Sequence, residues 1–150
     1  MTPLIKIIRT ENAPVDHPLP AYQSEGAAGM DLYACIEEPV TLAPHKPVLI
    51  PTGVAIALPT NEFAAFIYAR SGLASKHGIS LANGVGVVDS DYRGEIKVAL
   101  INLTDSEYTI NPRDRIAQLV IAPVCVARVV LEDELPQTER GAGGFGSTGR

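Results

Sequence analysis

Asn83-Gly-Val-Gly-Val-Val-Asp-Ser-Asp-Tyr-Arg-Gly-Glu-Ile-Lys-Val-Ala-Leu100 places apolar residues on both sides of a polar, glycine-containing turn. Val85, Val87 and Val88 lead into Asp89-Ser-Asp-Tyr-Arg-Gly94, and Glu95 through Leu100 lead out again. β-Branched runs bounded by turn formers make strands, so the stretch predicts a β-hairpin turning near Gly94. The same pattern repeats outward from it. Short runs of this kind occupy residues 4–8, 30–35, 48–50, 54–58, 63–69, 79–82, 95–102, 116–121 and 124–131. Pro44, Pro47, Pro51, Pro59, Pro112 and Pro123 punctuate them. Many short strands between turn signals predict an all-β sandwich, barrel or jelly roll. Ser71-Gly-Leu-Ala-Ser-Lys-His77, followed by Gly78, predicts the single helix, short, with Ser71 as candidate cap and Gly78 as the closing left-handed residue.

At 150 residues the chain has room for one core rather than two. Its 46% hydrophobic content is that of a globular protein. A net charge of −5 offers no general field for a polyanion, so nucleic acid is not an expected partner, although a local arginine cluster can still hold a small anion. No apolar run is long enough to span a bilayer, and no secretory h-region precedes Lys6, so a cytoplasmic protein without a membrane partner is expected. Cys35 and Cys125 form no C-x-x-C and read as reduced, buried thiols. His17, His45 and His77 are scattered and read as surface or turn residues rather than metal ligands.

Three stretches have chemistry to offer. Arg70-Ser71-Gly72 puts a guanidinium, a hydroxyl and a permissive backbone at the start of the predicted helix, where anions bind; the plain alternative is a cap beside a surface charge. Asp89 and Asp91 are ordinary turn formers by type, yet a carboxylate at a hairpin mouth within reach of an anion site can take a proton from water. Gly141 to Gly146 matches G-x-G-x-x-G, but that fingerprint requires a strand before it and a helix after it, and the residues around it supply neither. What remains is a glycine-rich tail with backbone donors, hydroxyls and arginines, suited to an anion clamp.

Five segments, in order, resemble the five motifs of the trimeric dUTPase family, the deoxyuridine triphosphate nucleotidohydrolases. They are Ala28-Gly-Met-Asp-Leu-Tyr-Ala34; Ala69-Arg-Ser-Gly-Leu73; Asn83 through Gly94; Arg113-Asp-Arg-Ile-Ala-Gln-Leu119; and Arg140 through Gly149. The resemblance implies a β jelly-roll or β-clip type barrel over residues 1–139, with residues 140–150 as an arm of the active site. It also implies a homotrimer with shared active sites. The implied reaction converts dUTP and water to dUMP and pyrophosphate with Mg2+, limiting uracil in DNA and supplying dUMP for thymidylate synthesis.

Carried over by motif, Asp89 is the general base for the attacking water, and Arg70, Ser71 and Gly72 hold the phosphates. Asp31 supports magnesium through its waters. Asn83, Val87, Val88 and the backbone at Lys97 read uracil, and Tyr92 packs on the deoxyribose, leaving no space for a 2′-hydroxyl. Gln118 stands near the phosphates or the water, with Asp114 and Arg115 as a structural pair beside it. Arg113 departs from the glycine common at its place, which bears on the local turn. In the tail, Arg140 reaches the γ-phosphate, Phe145 stacks on uracil, and Gly146, Ser147 and Thr148 add donors. A related jelly-roll class deaminates dCTP and needs a glutamate base; Glu95 is the one nearby.

Overall fold

Alternating burial along short strands builds this chain, and the computed structural model describes residues 2–144. Lys6–Arg9 (β1), Ala21–Tyr22 (β2), Met30–Tyr33 (β3) and Val40–Leu42 (β4) come first. Pro47–Pro51 (β5), Val54–Ala57 (β6) and Phe63–Ala69 (β7) precede the helix Ser71–His77 (α1). Ile79–Leu81 (β8), Gly86–Val88 (β9), Lys97–Asn102 (β10), Tyr108–Ile110 (β11) and Arg115–Pro123 (β12) follow. The named strand pairings are all antiparallel. The largest sheet runs β2-β3-β12-β7-β9, a second runs β5-β10-β8, and β1-β6 and β11-β4 form pairs. These four sheets do not join into a closed barrel among the described residues.

Leu32, Leu42, Ile50, Val54, Ile67, Ile79, Leu100, Ile110, Ile116 and Leu119 come from all four sheets and bury in one cluster. Each such side chain removed from water contributes roughly 1.5–3 kcal/mol. Its inward residues alternate with outward ones, as in Lys97–Asn102, where Val98, Leu100 and Asn102 are buried. Helix α1 closes on Gly78 at φ 64°, whose N–H donates to the Leu73 and Ala74 carbonyls. Its N-cap is Arg70, in extended backbone; Ser71 is the first helical residue and caps nothing.

The expected hairpin is only half made. Its base closes between β8 and β10, with Leu81 opposite Leu100 and Ile79 opposite Asn102. Above Ala82, whose N–H donates to the Ala99 carbonyl at 2.8 Å, the two arms part. β9 joins β7 instead, pairing Gly86 with Ile67 and Val88 with Ala65, while Lys97 pairs with Pro51 of β5. Gly86 permits this: a Cβ there would stand 3.0 Å from the Ile67 Cβ. Val88, buried, supplies the apolar reward.

Three further expectations are corrected. Residues 124–131 make no strand, and Val129 and Leu131 stand 90% and 95% exposed. Cys125 in this segment is exposed, not buried, whereas Cys35 is partly buried. His17 is no surface residue; it is enclosed, with Nε2 donating to the Thr52 carbonyl at 3.0 Å, which fixes its tautomer.

Candidate active site

A β-bulge shapes the first part of the site. On β12, Arg115 opposes Tyr33 and Ala117 opposes Leu32, so Ile116 is an extra residue. That extra residue lets Ile116 enter the core while Arg115 reaches the face that carries Asp31 and Gln118. Asp31, with 8% of its side chain exposed, receives Arg70 Nε at 3.0 Å on one oxygen and Arg115 Nη1 at 3.2 Å on the other. One carboxylate thus aims two guanidiniums. Around them Gly29, Ser71, Gly72 and Gln118 complete a cleft of about 240 Å3. Gln118 donates to the Ala69 carbonyl at 3.3 Å, across the strand pair from Tyr68. The arrangement suits a polyanion, because two cations and the open N–H groups at the helix start face one small space.

The second part lies where the hairpin arms separate. Asn83, Gly86, Val87, Val88, Asp89, Tyr92, Glu95, Ile96 and Lys97, with Leu49 and Ile67 behind them, line a cavity of about 300 Å3. β9 is an edge strand of its sheet, and Lys97 has no strand partner on the side away from β5. Two backbone edges therefore face the cavity with donors and acceptors to offer a planar, hydrogen-bonding ligand. Asp89 is exposed at its mouth, and its carbonyl accepts the Tyr92 N–H in the turn.

The structure brings the predicted residues together in two groups rather than one. Asp31, Arg70, Ser71, Gly72 and Gln118 share the first cleft; Asn83, Val87, Val88, Asp89, Tyr92 and Lys97 share the second. No residue lines both. Arg140 lines neither, and its Nε donates to the Gly143 carbonyl in its own turn. Phe145, Gly146, Ser147 and Thr148 lie outside the described residues. Asp114 and Arg115 do not pair: Asp114 accepts the Asn111 N–H at 2.7 Å, and Arg115 goes to Asp31. Arg113 takes the left-handed backbone, φ 66°, that a glycine would take. Its guanidinium binds Asp16 at 2.6 Å, which holds that carboxyl below its ordinary value.

Sequence reasoning missed the support behind the second cleft. Thr52, Gly53 and His17 come from distant segments, and no local pattern announces them. Nor did it find Arg115 on Asp31, because the bulge that redirects it leaves no mark in the alternation.

The donors around Asp31 decide how a magnesium ion could be held. Among the described residues no group of three or more His, Cys, Asp or Glu side chains could cage an ion. Asp31 spends one lone pair of each oxygen on an arginine, leaving others to accept from water. The donor set therefore fits a hydrated ion carried mainly on phosphate oxygens, with Asp31 in the outer sphere.

Comparison with known proteins bears on what fills these clefts. A family model described as dUTPase matches residues 16–149. A deoxyuridine 5'-triphosphate nucleotidohydrolase of Desulfitobacterium hafniense (strain DSM 10664 / DCB-2) is 52% identical over 145 residues, covering 97% of this chain and 94% of that protein. The protein of the same name from Burkholderia mallei (strain SAVP1) is 54% identical over 132 residues, covering 88% and 89%. Among solved structures, the Staphylococcus bacteriophage 80alpha dUTPase with dUPNHPP superposes with a TM-score of 0.84 at 26% identity, covering 98% of this chain and 99% of that one. With a family model spanning nearly the whole chain and relatives above half identity, the chain belongs to the dUTPase family and is an enzyme of that family.

Proposed function

We propose that the enzyme converts dUTP and water to dUMP and pyrophosphate, with Asp89 as general base and attack at the α-phosphorus. The observation that carries this reading is the opened hairpin, which presents two free backbone edges and Asp89 to one cavity. Uracil offers an N3–H donor between two carbonyl acceptors, the complement of a strand edge. Cytosine reverses that edge, and backbone polarity cannot be flipped to suit it. The phage relative described with dUPNHPP supports a deoxyuridine nucleotide as ligand.

In this reading Asp89 accepts a proton from water as its oxygen forms a bond to the α-phosphorus. The bond from that phosphorus to the bridging oxygen breaks, and pyrophosphate leaves. Arg70, Ser71 and Gly72 face the growing charge and so stabilise the transition state more than the ground state. Arg115 belongs with them, because it shares Asp31 with Arg70. When bound, Mg2+ would draw charge from the phosphate oxygens, with Asp31 accepting from its waters.

The base cleft and the phosphate cleft share no lining residue within one chain. That separation supports a homotrimer whose neighbouring chains complete one site, with residues 140–150 as the arm that covers it. The exposed apolar segment at residues 124–131 is consistent with a surface that a second copy covers. No helix among the described residues is long and apolar enough to cross a membrane; the bacterial dUTPase relatives and the net charge of −5 support a cytoplasmic enzyme without a nucleic-acid or membrane partner. The dCTP deaminase alternative needs a glutamate free to activate water, and Glu95 instead accepts the Gly53 N–H at 2.8 Å.

The test is pyrophosphate release from dUTP beside UTP, dCTP and dTTP, in H2 18O. Selective release from dUTP with the label in dUMP is expected. Ammonia from dCTP, or label in pyrophosphate, would overturn the substrate or the site of attack respectively. Asp89→Asn should lower turnover by about 100- to 10,000-fold while nucleotide binding is kept.

A further inference from the structure

Glu95 is used by neither the proposed chemistry nor the base contacts, yet it sits where three parts of the chain meet. Its Oε1 accepts the Gly53 N–H at 2.8 Å, and its carbonyl accepts the Tyr92 hydroxyl at 2.9 Å. The residue after it is tied just as closely. Thr52 is buried and donates Oγ1 to the Ile96 carbonyl at 2.6 Å, while Ile96 N–H donates to the Val54 carbonyl at 2.9 Å. His17 locks Thr52 in turn through its carbonyl. The β5–β6 corner therefore grips residues 95 and 96 by side chain and backbone together.

Gly94 completes the arrangement. A Cβ there would strike the Tyr92 hydroxyl oxygen and stand 2.6 Å from Tyr92 Cζ. Gly94 is not among the residues with positive φ, so its bareness serves the ring rather than the backbone. The ring thus has a floor at Gly94 and a hydroxyl anchor at Glu95, although Tyr92 itself is 45% exposed at the rim of the cavity.

We infer that Glu95, clamped to Gly53, is a positioning residue for sugar discrimination: it holds Tyr92 where a 2′-hydroxyl would meet the ring, with Gly94 as the seat. The inference rests on reading Tyr92 as the group packed on deoxyribose. In this assignment Glu95 acts through the tyrosine, its Oε1 being held by the Gly53 N–H. Glutamine at 95 keeps an oxygen for the Gly53 N–H; alanine keeps none and leaves that donor unpaired.

The experiment compares kcat/KM for UTP and dUTP in the full chain. Glu95→Ala and Gly94→Ala should each raise the UTP-to-dUTP ratio on the order of tenfold, the usual scale for losing one steric or packing contact. Glu95→Gln should restore the native ratio. In a Tyr92→Ala background neither change should raise the ratio further, because the ring they position is gone. NMR of labelled tyrosine, assigned with Tyr92→Phe, gives a reading that needs no substrate: Tyr92 ring signals should move in Glu95→Ala and hold in Glu95→Gln. Should Glu95→Ala not fold, Gly94→Ala carries the same two readings.

A ratio unchanged in Glu95→Ala and Gly94→Ala, while Tyr92→Ala raises it, overturns the positioning role. A ratio unchanged in Tyr92→Ala overturns the sugar reading and the inference that rests on it. Ring signals then separate the two failures: displaced signals indict the sugar reading, unmoved signals indict the clamp.

Discussion

Arg113 bears a conformation its side chain does not favour. At φ 66° its Cβ crowds the backbone, a cost of roughly 1–2 kcal/mol that glycine escapes. What keeps the turn is its N–H to the Ala34 carbonyl at 2.9 Å and the exposed ion pair with Asp16. Exposed pairs contribute little, so Arg113→Gly should be at least as stable as the native chain, and Arg113→Ala less stable than Arg113→Gly by about 1 kcal/mol. Denaturant midpoints ordered the other way would remove the strain argument. His17 makes a second case. Burial pushes its imidazole below the ordinary 6.5, outweighing the Thr52 carbonyl, which pulls it up; Arg113 and Arg9 add to the lowering, and Asp16 opposes it. An unfolded chain takes this proton near 6.5, while the folded chain takes it only at lower pH. The unfolded state therefore binds more protons in that interval, and stability falls as pH drops from 6.5 toward the folded value. Asp16 titrates below 3.8, outside this window. Between about pH 7 and about pH 5 the native denaturation midpoint should fall more steeply than that of His17→Gln. Parallel slopes would show that His17 carries no such linkage.

At the scale of elements, β9 decides whether there is a cavity at all. The sequence around Asp89 reads as a closed hairpin, because valines on both arms fit a two-stranded ladder; nothing local says that Gly86 meets Ile67 of another strand. Gly86→Ala puts a methyl 3.0 Å from the Ile67 Cβ and 3.2 Å from its Cγ1, tighter than side chains ordinarily pack. It should cost about 1–3 kcal/mol of stability, as overpacking does, and raise KM for dUTP more than it lowers kcat, since the base edge shifts and Asp89 stays on its turn. A KM and Tm both equal to the native values would mean that β9 joins β7 for some other reason. The aromatic and aliphatic run Phe63–Ala69 was legible as a strand to the residue, and the helix span was legible too, though not its cap. Tyr108–Ile110 and Val40–Leu42 were not, being three residues each and ordered mainly by each other. Residues 124–131 show the opposite failure. Their composition asks for a strand, but a strand needs a partner edge, and a single chain does not give them one. The five motifs picked out residues that line two clefts, while the grip of Asp31 on two arginines was hidden by the bulge.

At the scale of the whole molecule, one chain holds two clefts with no lining residue in common. The cleft at Asp31 and the cavity at Asp89 open separately, and Arg140 lines neither. If neighbouring subunits bring these parts together, Asp89 and Arg140 serving one substrate come from different chains. Asp89→Asn and Arg140→Ala are then each expected to be nearly inactive as uniform trimers. Mixing the two under conditions that dissociate and reassemble subunits changes the count. A working site needs its Asp89 from an Arg140→Ala chain and its Arg140 from an Asp89→Asn chain. With equal mixing and independent draws around a cyclic trimer, roughly a quarter of sites receive both intact residues. Activity should therefore return to about a quarter of the native value per site, and should do so only after reassembly. If the two residues act within one chain, every site keeps one lesion whatever the mixture. Verified hybrid trimers no more active than their unmixed parents would falsify the shared site, and would require that the arm folds back onto its own subunit.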